Sequence, residues 1–255
     1  MSEKISEIKG RYETCGLNDL PAFIESIKED ERAGVKKIAE SAKKSYNRYQ
    51  QELVRLEEMK HYEKKYDACT YICGIDEVGR GPLAGPVVAG AVILPKDCRI
   101  LYLNDSKQLT PKKREELYDE IMEQAVAVGI GIVSQERIDE INILQATYEA
   151  MRIAISRLSI KPDLLLNDAV TIPEVDIPQV PIIKGDAKSI SIAAASIVAK
   201  VERDRLMEQM DLVYPGYDFA GNKGYGSARH MEALKKQGPC AIHRMSFLKN
   251  ILHGR

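Results

Sequence analysis

The stretch GIDEVGRGPLAGPVVAGAVIL, residues 74–94, indicates how the rest of the chain is arranged. The apolar run from Thr70 to Ile75 is predicted to form a strand, and the run from Val87 to Leu94 is predicted to form a second. The residues between them are rich in glycine and proline, so we expect the two strands to pair as a hairpin.

Later segments alternate between short apolar runs and longer helical patterns. After the hairpin we predict three further strands and two helices. The strands are Val126–Val133, Asp163–Leu166 and Val180–Ile183, and the helices are Leu144–Leu158 and Ser189–Met210. This order predicts an α/β fold with a mixed β-sheet flanked by helices.

The region before residue 70 has a different composition. It contains no proline from Asp30 to Tyr66, and a shorter helix is predicted near Pro21 to Lys28. One apolar stripe at helical spacing consists of Val35, Ala39, Ala42, Tyr46, Tyr49, Leu53 and Leu56. We therefore predict a helical N-terminal extension over residues 1–69 and a main domain over residues 70–255. The stripe could pack on the chain's own domain, pair with another chain or lie along nucleic acid, and we favour the first.

Charge is distributed unevenly along the chain. The formal net charge is -1, which argues mildly against a nucleic-acid binder. Residues 220–255, predicted to be helical, carry seven Lys and Arg residues and one acid, a net charge of +6. This basic segment is either a phosphate-facing surface or a solvated helix, and charge alone favours neither.

Cysteine usage and hydropathy indicate the compartment. The five cysteines form no pair with zinc-finger spacing, so free or buried thiols are expected. The N-terminus lacks an apolar signal core, and no apolar run approaches the ~20 residues that span a bilayer. We expect a cytoplasmic protein with no membrane contact.

Four acids lie where predicted strands end. Asp76 and Glu77 follow the first strand, and Asp168 and Asp186 follow two later ones. Carboxylates brought to one sheet edge repel each other unless a cation is present, and oxygen-only ligands suit Mg²⁺ or Mn²⁺. Two such ions ~4 Å apart can activate water against a phosphodiester. Any one of these acids could equally be a turn former or a helix cap.

The turn Gly79-Arg80-Gly81 is a second candidate site. Its glycines permit positive φ and leave backbone N–H groups free for a ligand's oxygens, and Arg80 adds a charged donor. No Gly-Lys-Ser/Thr ends the turn, so it is not a Walker loop. Its glycine spacing and its two prolines, Pro82 and Pro86, argue against a dinucleotide-binding fold.

Several separated motifs together resemble one family, the type 2 ribonucleases H, and in particular bacterial ribonuclease HII. The resemblance covers about Thr70 to Phe247. It begins with residues 74–94 and continues through Asn104-Asp105-Ser106-Lys107, Asp168 and Lys184-Gly185-Asp186. It ends with NKGYGSARHMEAL and with His243-Arg244-x-Ser246-Phe247. The resemblance implies a ribonuclease H-like fold, and Arg80 favours ribonuclease HII over the related ribonuclease HIII.

The resemblance also implies roles for individual residues. The family's metal-site carboxylates correspond to Asp76, Glu77, Asp168 and Asp186. Gly79, Arg80 and Gly81 would contact the ribonucleotide 2′-OH, and Tyr225 would sense the deoxyribose that follows. Phosphate contacts are expected at Lys107 and Lys188 and, more weakly, at Ser106 and Ser189. His243 and Arg244 match the signature, but we predict no chemistry for them.

The implied activity is endonucleolytic hydrolysis of RNA in RNA–DNA hybrids and 5′ of ribonucleotides embedded in duplex DNA, by a two-metal-ion mechanism. Products would be a 3′-hydroxyl and a 5′-phosphate, consistent with roles in replication and ribonucleotide excision repair. We expect a monomer that uses Mn²⁺ or Mg²⁺. The alternatives are a hybrid-specific enzyme like ribonuclease HIII, a nucleotide-binding enzyme and a non-catalytic duplex-binding module.

Overall fold

The computed structural model describes residues 3–252, and their side chains as far as residue 249. The chain divides into two compact units, Met1–Glu58 and Met59–Arg255. The unit boundary therefore falls about ten residues before the composition change near residue 69. Within the described residues, no helix is long and apolar enough to cross a membrane.

The first unit is built from α1 (Ile5–Thr14), α2 (Leu20–Ser26) and most of α3 (Ala33–Met59). Val35 and Ala42 of the predicted stripe are fully buried, and they pack with apolar residues of the two shorter helices. The stripe thus forms part of the core of its own unit. The other buried residues of this core are Ile8, Leu20, Phe23 and Ile27.

The second unit contains one five-stranded sheet with the strand order β3-β2-β1-β4-β5. The strand β1 pairs antiparallel with β2 and parallel with β4, so the sheet is mixed, as predicted. The strands are β1 (Ile72–Val78), β2 (Val87–Ile93), β3 (Ala127–Val133), β4 (Leu164–Asp168) and β5 (Gln179–Ile182).

Helices cover both faces of this sheet. Gly74 and Gly90 approach α7, whereas Ala89 and Ala91 of the same β2 strand pack in a core cluster with residues of α6. Residues of a strand alternate between faces, so α6 and α7 lie on opposite sides of the sheet. The helices of this unit are α4 (His61–Lys65), α5 (Pro111–Gln124), α6 (Gln135–Ser156), α7 (Ile190–Val213), α8 (Phe219–Asn222), α9 (Ala228–Gln237) and α10 (Met245–Leu252).

The close approach of α7 explains the glycines of the hairpin. A Cβ at Gly74 would lie 2.0 Å from the backbone of Ser191, and one at Gly90 would lie 2.5 Å from the Ala195 carbonyl oxygen. Real Cβ atoms do not come this close to a backbone. Only glycine at both positions lets the apolar N-terminal half of α7 lie directly on β1 and β2.

Some predicted elements have different bounds in the structure. The first strand continues to Val78, so Asp76 and Glu77 lie inside β1 rather than after its end. The helix predicted from Leu144 is the second part of α6, which is kinked at Asn142 (φ 67°). The Asn142 side chain accepts hydrogen bonds from the N–H groups of Leu144 and Gln145 and thereby caps that second part.

The basic C-terminal segment is not a uniform charged surface. Arg244 is fully buried, Lys223 pairs with Glu208, and Arg229 lies 3.3 Å from Asp218. Arg255, which contributes to the predicted charge, lies outside the described residues. The prediction of a phosphate-facing surface is therefore wrong for Arg244, because its guanidinium points into the protein. All five cysteines are free thiols, as expected.

Candidate active site

Three of the four predicted acids meet because of the sheet register. In the parallel pair of β1 and β4, Ile75 lies opposite Asn167, so the next positions along the two strands are Asp76 and Asp168. After β5, the turn Gly185–Ala187 supplies Asp186, and the Gly185 N–H donates to Asp168 Oδ1 over 2.7 Å. Parallel strands thus deliver carboxylates to one edge of the sheet.

Asp76 is the most buried of these acids, with 6% of its surface exposed. Burial raises the pKa of Asp76 well above its usual value, and the neighbouring Glu77 charge adds to the rise. The Ser196 hydroxyl on α7 opposes the rise by donating to the carboxyl group. The Asp76 carboxylate is thus held in the fold without a matching positive charge in direct contact.

Glu77 and Asp186 experience similar effects. Burial raises the pKa of Glu77, although Arg80, with Nη1 3.4 Å from Oε1, opposes the rise. Burial also raises the pKa of Asp186, and the charges of Asp105 and Asp168 add to it. Asp105 belongs to the Asn104–Lys107 motif, but the sequence did not assign it to the acidic cluster.

Lys107 is the cation that responds to all of these acids. Its own burial would lower the pKa of Lys107, but the nearby carboxylates outweigh that effect and raise it. Its side chain is exposed at the edge of the cluster. The carboxylates that act on it are Asp105, Asp76, Asp186 and Asp168.

The chemistry of this cluster suits a hard divalent cation. The donors are carboxylate oxygens only, they repel one another, and Asp76 is buried without a charged partner in contact. Among residues 3–249, however, no group of three or more His, Cys, Asp or Glu side chains is spaced as a ready-made metal site. The carboxylates must move closer together to share an ion.

The Gly79–Gly81 turn lies directly after β1. Gly79 has φ +92°, and a Cβ there would lie 2.2 Å from Arg203 Nε, so only glycine fits. Arg80 and Gly81 are exposed, and within the described part of the chain their backbone N–H groups donate no hydrogen bond. This leaves backbone donors for the oxygens of a ligand.

Two buried arginines hold this turn in place. Arg244 donates to the carbonyl groups of Gly79 (2.6 Å), Arg80 (2.9 Å) and Gly85 (2.9 Å). Burial lowers the pKa of Arg244 to about 9, and no acid lies in hydrogen-bond contact with it in the described chain. The turn therefore rests on a guanidinium that is satisfied by backbone oxygens.

Arg203 joins the turn to the loop that contains Tyr225. Its guanidinium donates to the carbonyl oxygens of Pro86 (2.9 Å), Ala84 (3.1 Å) and Lys223 (2.9 Å). Tyr225 is 44% exposed, and its ring lies 3.7 Å from the place where a Cβ of Gly81 would be. The predicted ribose-binding turn and the predicted junction-sensing tyrosine are thus neighbours.

The four predicted phosphate contacts fall into two groups. Lys107 and Lys188 are exposed, as a phosphate contact requires. Ser106 is buried, and its hydroxyl accepts from Ser196 Oγ over 2.9 Å. Ser189 is fully buried, caps α7, and donates to Glu63 Oε1 over 2.5 Å. Neither serine is placed to contact a phosphate here, because both hydroxyls are used inside the fold.

Sequence reasoning missed the residues that act through long-range contacts. Arg203 reads as one more charge on a helix, and Glu63 reads as part of a charged extension, yet both contact the walls of the site. Ser196 gave no signal within its run of small residues. Asp105 could have been found, because it lies beside Lys107 in a motif that the sequence had already singled out.

Solved structures define the class of this fold. The RNase HII in the structure of the PCNA:RNase HII complex from Archaeoglobus fulgidus matches with a TM-score of 0.60 and 30% identity, covering 71% of this chain and 96% of that one. Ribonuclease H2 from Pyrococcus horikoshii matches with a TM-score of 0.59 and 30% identity, over 69% and 93% of the two chains. The five-stranded sheet with its edge of acids is that of the type 2 ribonucleases H.

Sequence comparisons are more specific. A model described as Ribonuclease HII matches residues 73–250, and one described as Ribonuclease HII N-terminal domain matches residues 4–67. Ribonuclease HII of Lachnoclostridium phytofermentans is 64% identical over 251 residues, 98% of this chain and 99% of that protein. Ribonuclease HII of Clostridioides difficile is 52% identical over 252 residues, with the same coverage. The chain belongs to the ribonuclease HII family and is a ribonuclease H endonuclease.

Proposed function

We propose that this endonuclease hydrolyses the RNA strand of RNA–DNA hybrids and also nicks duplex DNA on the 5′ side of an embedded ribonucleotide. The observation that carries the proposal is the contact between the exposed donor turn Gly79–Gly81 and the ring of Tyr225. One element offers donors for a 2′-OH, and the other offers a flat apolar surface for the next sugar. A duplex with one ribonucleotide presents these two features side by side.

The reaction is hydrolysis of one phosphodiester bond. Water adds to phosphorus, and the bond to the 3′-oxygen of the preceding deoxynucleotide breaks. The products are a 3′-hydroxyl on that deoxynucleotide and a 5′-phosphate on the ribonucleotide. These ends can be extended or resealed by other enzymes, which supports a role in ribonucleotide removal and DNA replication.

Asp76, Glu77, Asp168 and Asp186 would hold the divalent metal, Mn²⁺ or Mg²⁺. When bound, two such ions supply the positive charge that stabilises the transition state of phosphodiester hydrolysis. The mutual repulsion of these buried acids supports the assignment. An RNase HIII of the same fold, 19% identical, has been solved in complex with Mn²⁺.

The remaining residues position the substrate. Lys107, which lies among the acids and is exposed, would bind a phosphate next to the cleaved bond. Lys188, after the turn that carries Asp186, would bind another phosphate along the same strand. Ser106 and Ser189 would act indirectly by holding the segments that carry these lysines.

The test is to map cleavage of an end-labelled DNA duplex that contains one ribonucleotide, in Mg²⁺ and in Mn²⁺. We expect one nick, immediately 5′ of the ribonucleotide. Cleavage of long hybrids without this nick would overturn the proposal in favour of an activity like that of ribonuclease HIII. No cleavage is expected from Asp76→Asn, whereas Asp176→Asn, an exposed acid outside the cluster, should be fully active.

A further inference from the structure

Two histidines lie in contact in the core behind the Tyr225 loop. His230 belongs to α9, His243 precedes α10, and both are buried (0% and 3% exposed). Their Nε2 atoms are 3.0 Å apart. The rings of Tyr217 and Phe219 pack against the pair, which has no role in the proposed chemistry.

The outer nitrogen of each ring has its own backbone partner. His243 Nδ1 lies 2.9 Å from the Cys240 N–H, which can only donate, so this nitrogen must accept. His230 Nδ1 lies 2.8 Å from the Tyr225 carbonyl oxygen, which can only accept, so this nitrogen must carry a proton. A neutral His243 then carries its proton on Nε2 and donates to His230 Nε2.

These four groups form a directional chain of hydrogen bonds, which we call the His relay: Cys240 N–H, His243, His230 and the Tyr225 carbonyl. Reversing the central bond would leave an unprotonated His230 Nδ1 2.8 Å from a carbonyl oxygen. Adding a proton to either ring would force one N–H against another N–H. The geometry therefore admits one arrangement, in which both histidines are neutral.

The surroundings of the relay favour the neutral state. Burial lowers the pKa of His243 to about 4, and the neighbouring His230 adds to the effect. Burial also lowers the pKa of His230. The other titratable groups that contact the pair are Tyr217 and Cys240, and burial raises the pKa of each, so both are uncharged at neutral pH.

We propose that the His relay positions Tyr225 for specificity at the junction between a ribonucleotide and DNA. The Tyr225 carbonyl accepts from His230 and from the Ser227 N–H (2.8 Å), which anchors the backbone from which the exposed ring projects toward Gly81. His230 and His243 are positioning residues, since they lie beneath the surface. The inference rests on the proposed junction role of Tyr225.

The first test compares two replacements of His230. His230→Phe keeps a ring among Tyr217 and Phe219 but removes both hydrogen bonds, whereas His230→Asn keeps a side-chain N–H near the position of Nδ1. The measured quantity is kcat/KM for a duplex with one ribonucleotide divided by kcat/KM for a long hybrid. We expect this ratio to fall about tenfold in His230→Phe and to remain near the wild-type value in His230→Asn.

Two further variants make the result interpretable. Leu234→Val loosens the core beneath α9 without touching the relay, so it should lower the melting temperature but not the ratio. Tyr225→Ala tests the junction role itself and should lower the ratio. A normal ratio in folded His230→Phe, with a lowered ratio in Tyr225→Ala, would overturn the relay alone. A normal ratio in Tyr225→Ala would overturn the proposed role of the tyrosine and the inference that depends on it.

The pH dependence gives a readout that a merely structural role would not. Because the folded fold favours neutral histidines, the relay is intact above their usual pKa near 6.5 and opens as the pH falls toward 4. The wild-type ratio should therefore decline in acid, whereas the ratio of His230→Phe should stay low and constant. Taking a ratio cancels the titration of acids that both substrates require. Parallel declines in both proteins would contradict the relay.

Nitrogen-detected NMR of the histidine rings examines the relay without any activity. At pH 7.5 we expect His230 protonated on Nδ1 and His243 protonated on Nε2, each with one shifted N–H resonance. The opposite tautomers, or a charged ring, would overturn the inference even if the nicking activity is as proposed.

Discussion

At the residue scale, the candidate centre consists of acids whose burial works against their charge. Asp76 is held against α7 with Glu77 beside it, and the Ser196 hydroxyl opposes the resulting rise of the Asp76 pKa only in part. An acid whose pKa rises on folding weakens the fold at neutral pH, because the charged form is more stable in the unfolded chain. A bound divalent cation would reverse that balance.

Asp76→Asn should therefore abolish cleavage and yet stabilise the metal-free protein. In EDTA at pH 7 we expect the melting temperature to rise by roughly 2–8 °C, the shift that 1–2 kcal/mol produces in a chain of this size. Added Mn²⁺ should stabilise the wild type more than the variant. A lower melting temperature of the variant in EDTA would contradict this account of the site.

The buried arginines provide a second prediction at this scale. Arg203→Met should leave the carbonyl oxygens of Pro86, Ala84 and Lys223 without their donor, at a cost of about 2–5 kcal/mol in the free energy of unfolding measured in urea. Arg205→Met, two residues away, removes an exposed ion pair with Glu115 and should cost less than about 1 kcal/mol. Equal effects of the two changes would count against the bridging role of Arg203.

At the element scale, the position of α7 determines the geometry of the site. Its first residues follow Asp186, its Ser196 contacts Asp76, and its Arg203 holds the loop that contains Tyr225. The helix can lie this close to the sheet only because glycine occurs where the two backbones meet. A change in this spacing should therefore affect all three parts of the site together.

Gly90→Ala tests that dependence. The new Cβ would lie 2.5 Å from the Ala195 carbonyl oxygen, so α7 must move away from β2. We expect a loss of about 1–3 kcal/mol in unfolding free energy, with a lower kcat on every substrate. Gly10→Ala in α1 has open space for its Cβ and is the matched control, which should be neutral or slightly stabilising.

At the scale of the whole molecule, the boundary of the N-terminal unit decides what can be removed. The structure divides the chain after Glu58, whereas composition suggests a boundary at residue 69. The difference matters because Glu63 lies between them. Its carboxylate accepts from Ser189 Oγ (2.5 Å) and from the Ser191 N–H (3.1 Å) at the start of α7.

We propose residue 59 as the functional boundary and predict different outcomes for two truncations. A protein of residues 59–255 should keep the five-stranded sheet and most of its cleavage activity. A protein of residues 70–255 loses Glu63 and should be less stable than the longer form by about 1–3 kcal/mol in urea, with lower activity. Glu63→Gln in the full chain should show part of the same loss. Equal stability of the two truncated proteins would refute the role of Glu63.

The parts of the fold that could be predicted depend on local patterns. The hairpin of β1 and β2 followed from two apolar runs around a turn of glycine and proline, and strands and helices alternate as expected. The acids Asp168 and Asp186 could be selected because each follows such a run. The bounds of β1 were harder to predict, since buried acids inside a strand run against the usual pattern of composition.

The sequence by itself determined the strand pattern, the family and the candidate acids, because each of these is encoded in neighbouring residues or in motif order. Only the tertiary structure decided which side chains meet. Ser106 and Ser189 turned out to lie inside the fold, and Arg203 and Arg244 turned out to hold backbone loops. The physical reason is that a buried polar group takes its partner from whatever the packing brings within hydrogen-bond distance, and those partners are up to 165 residues away along the chain.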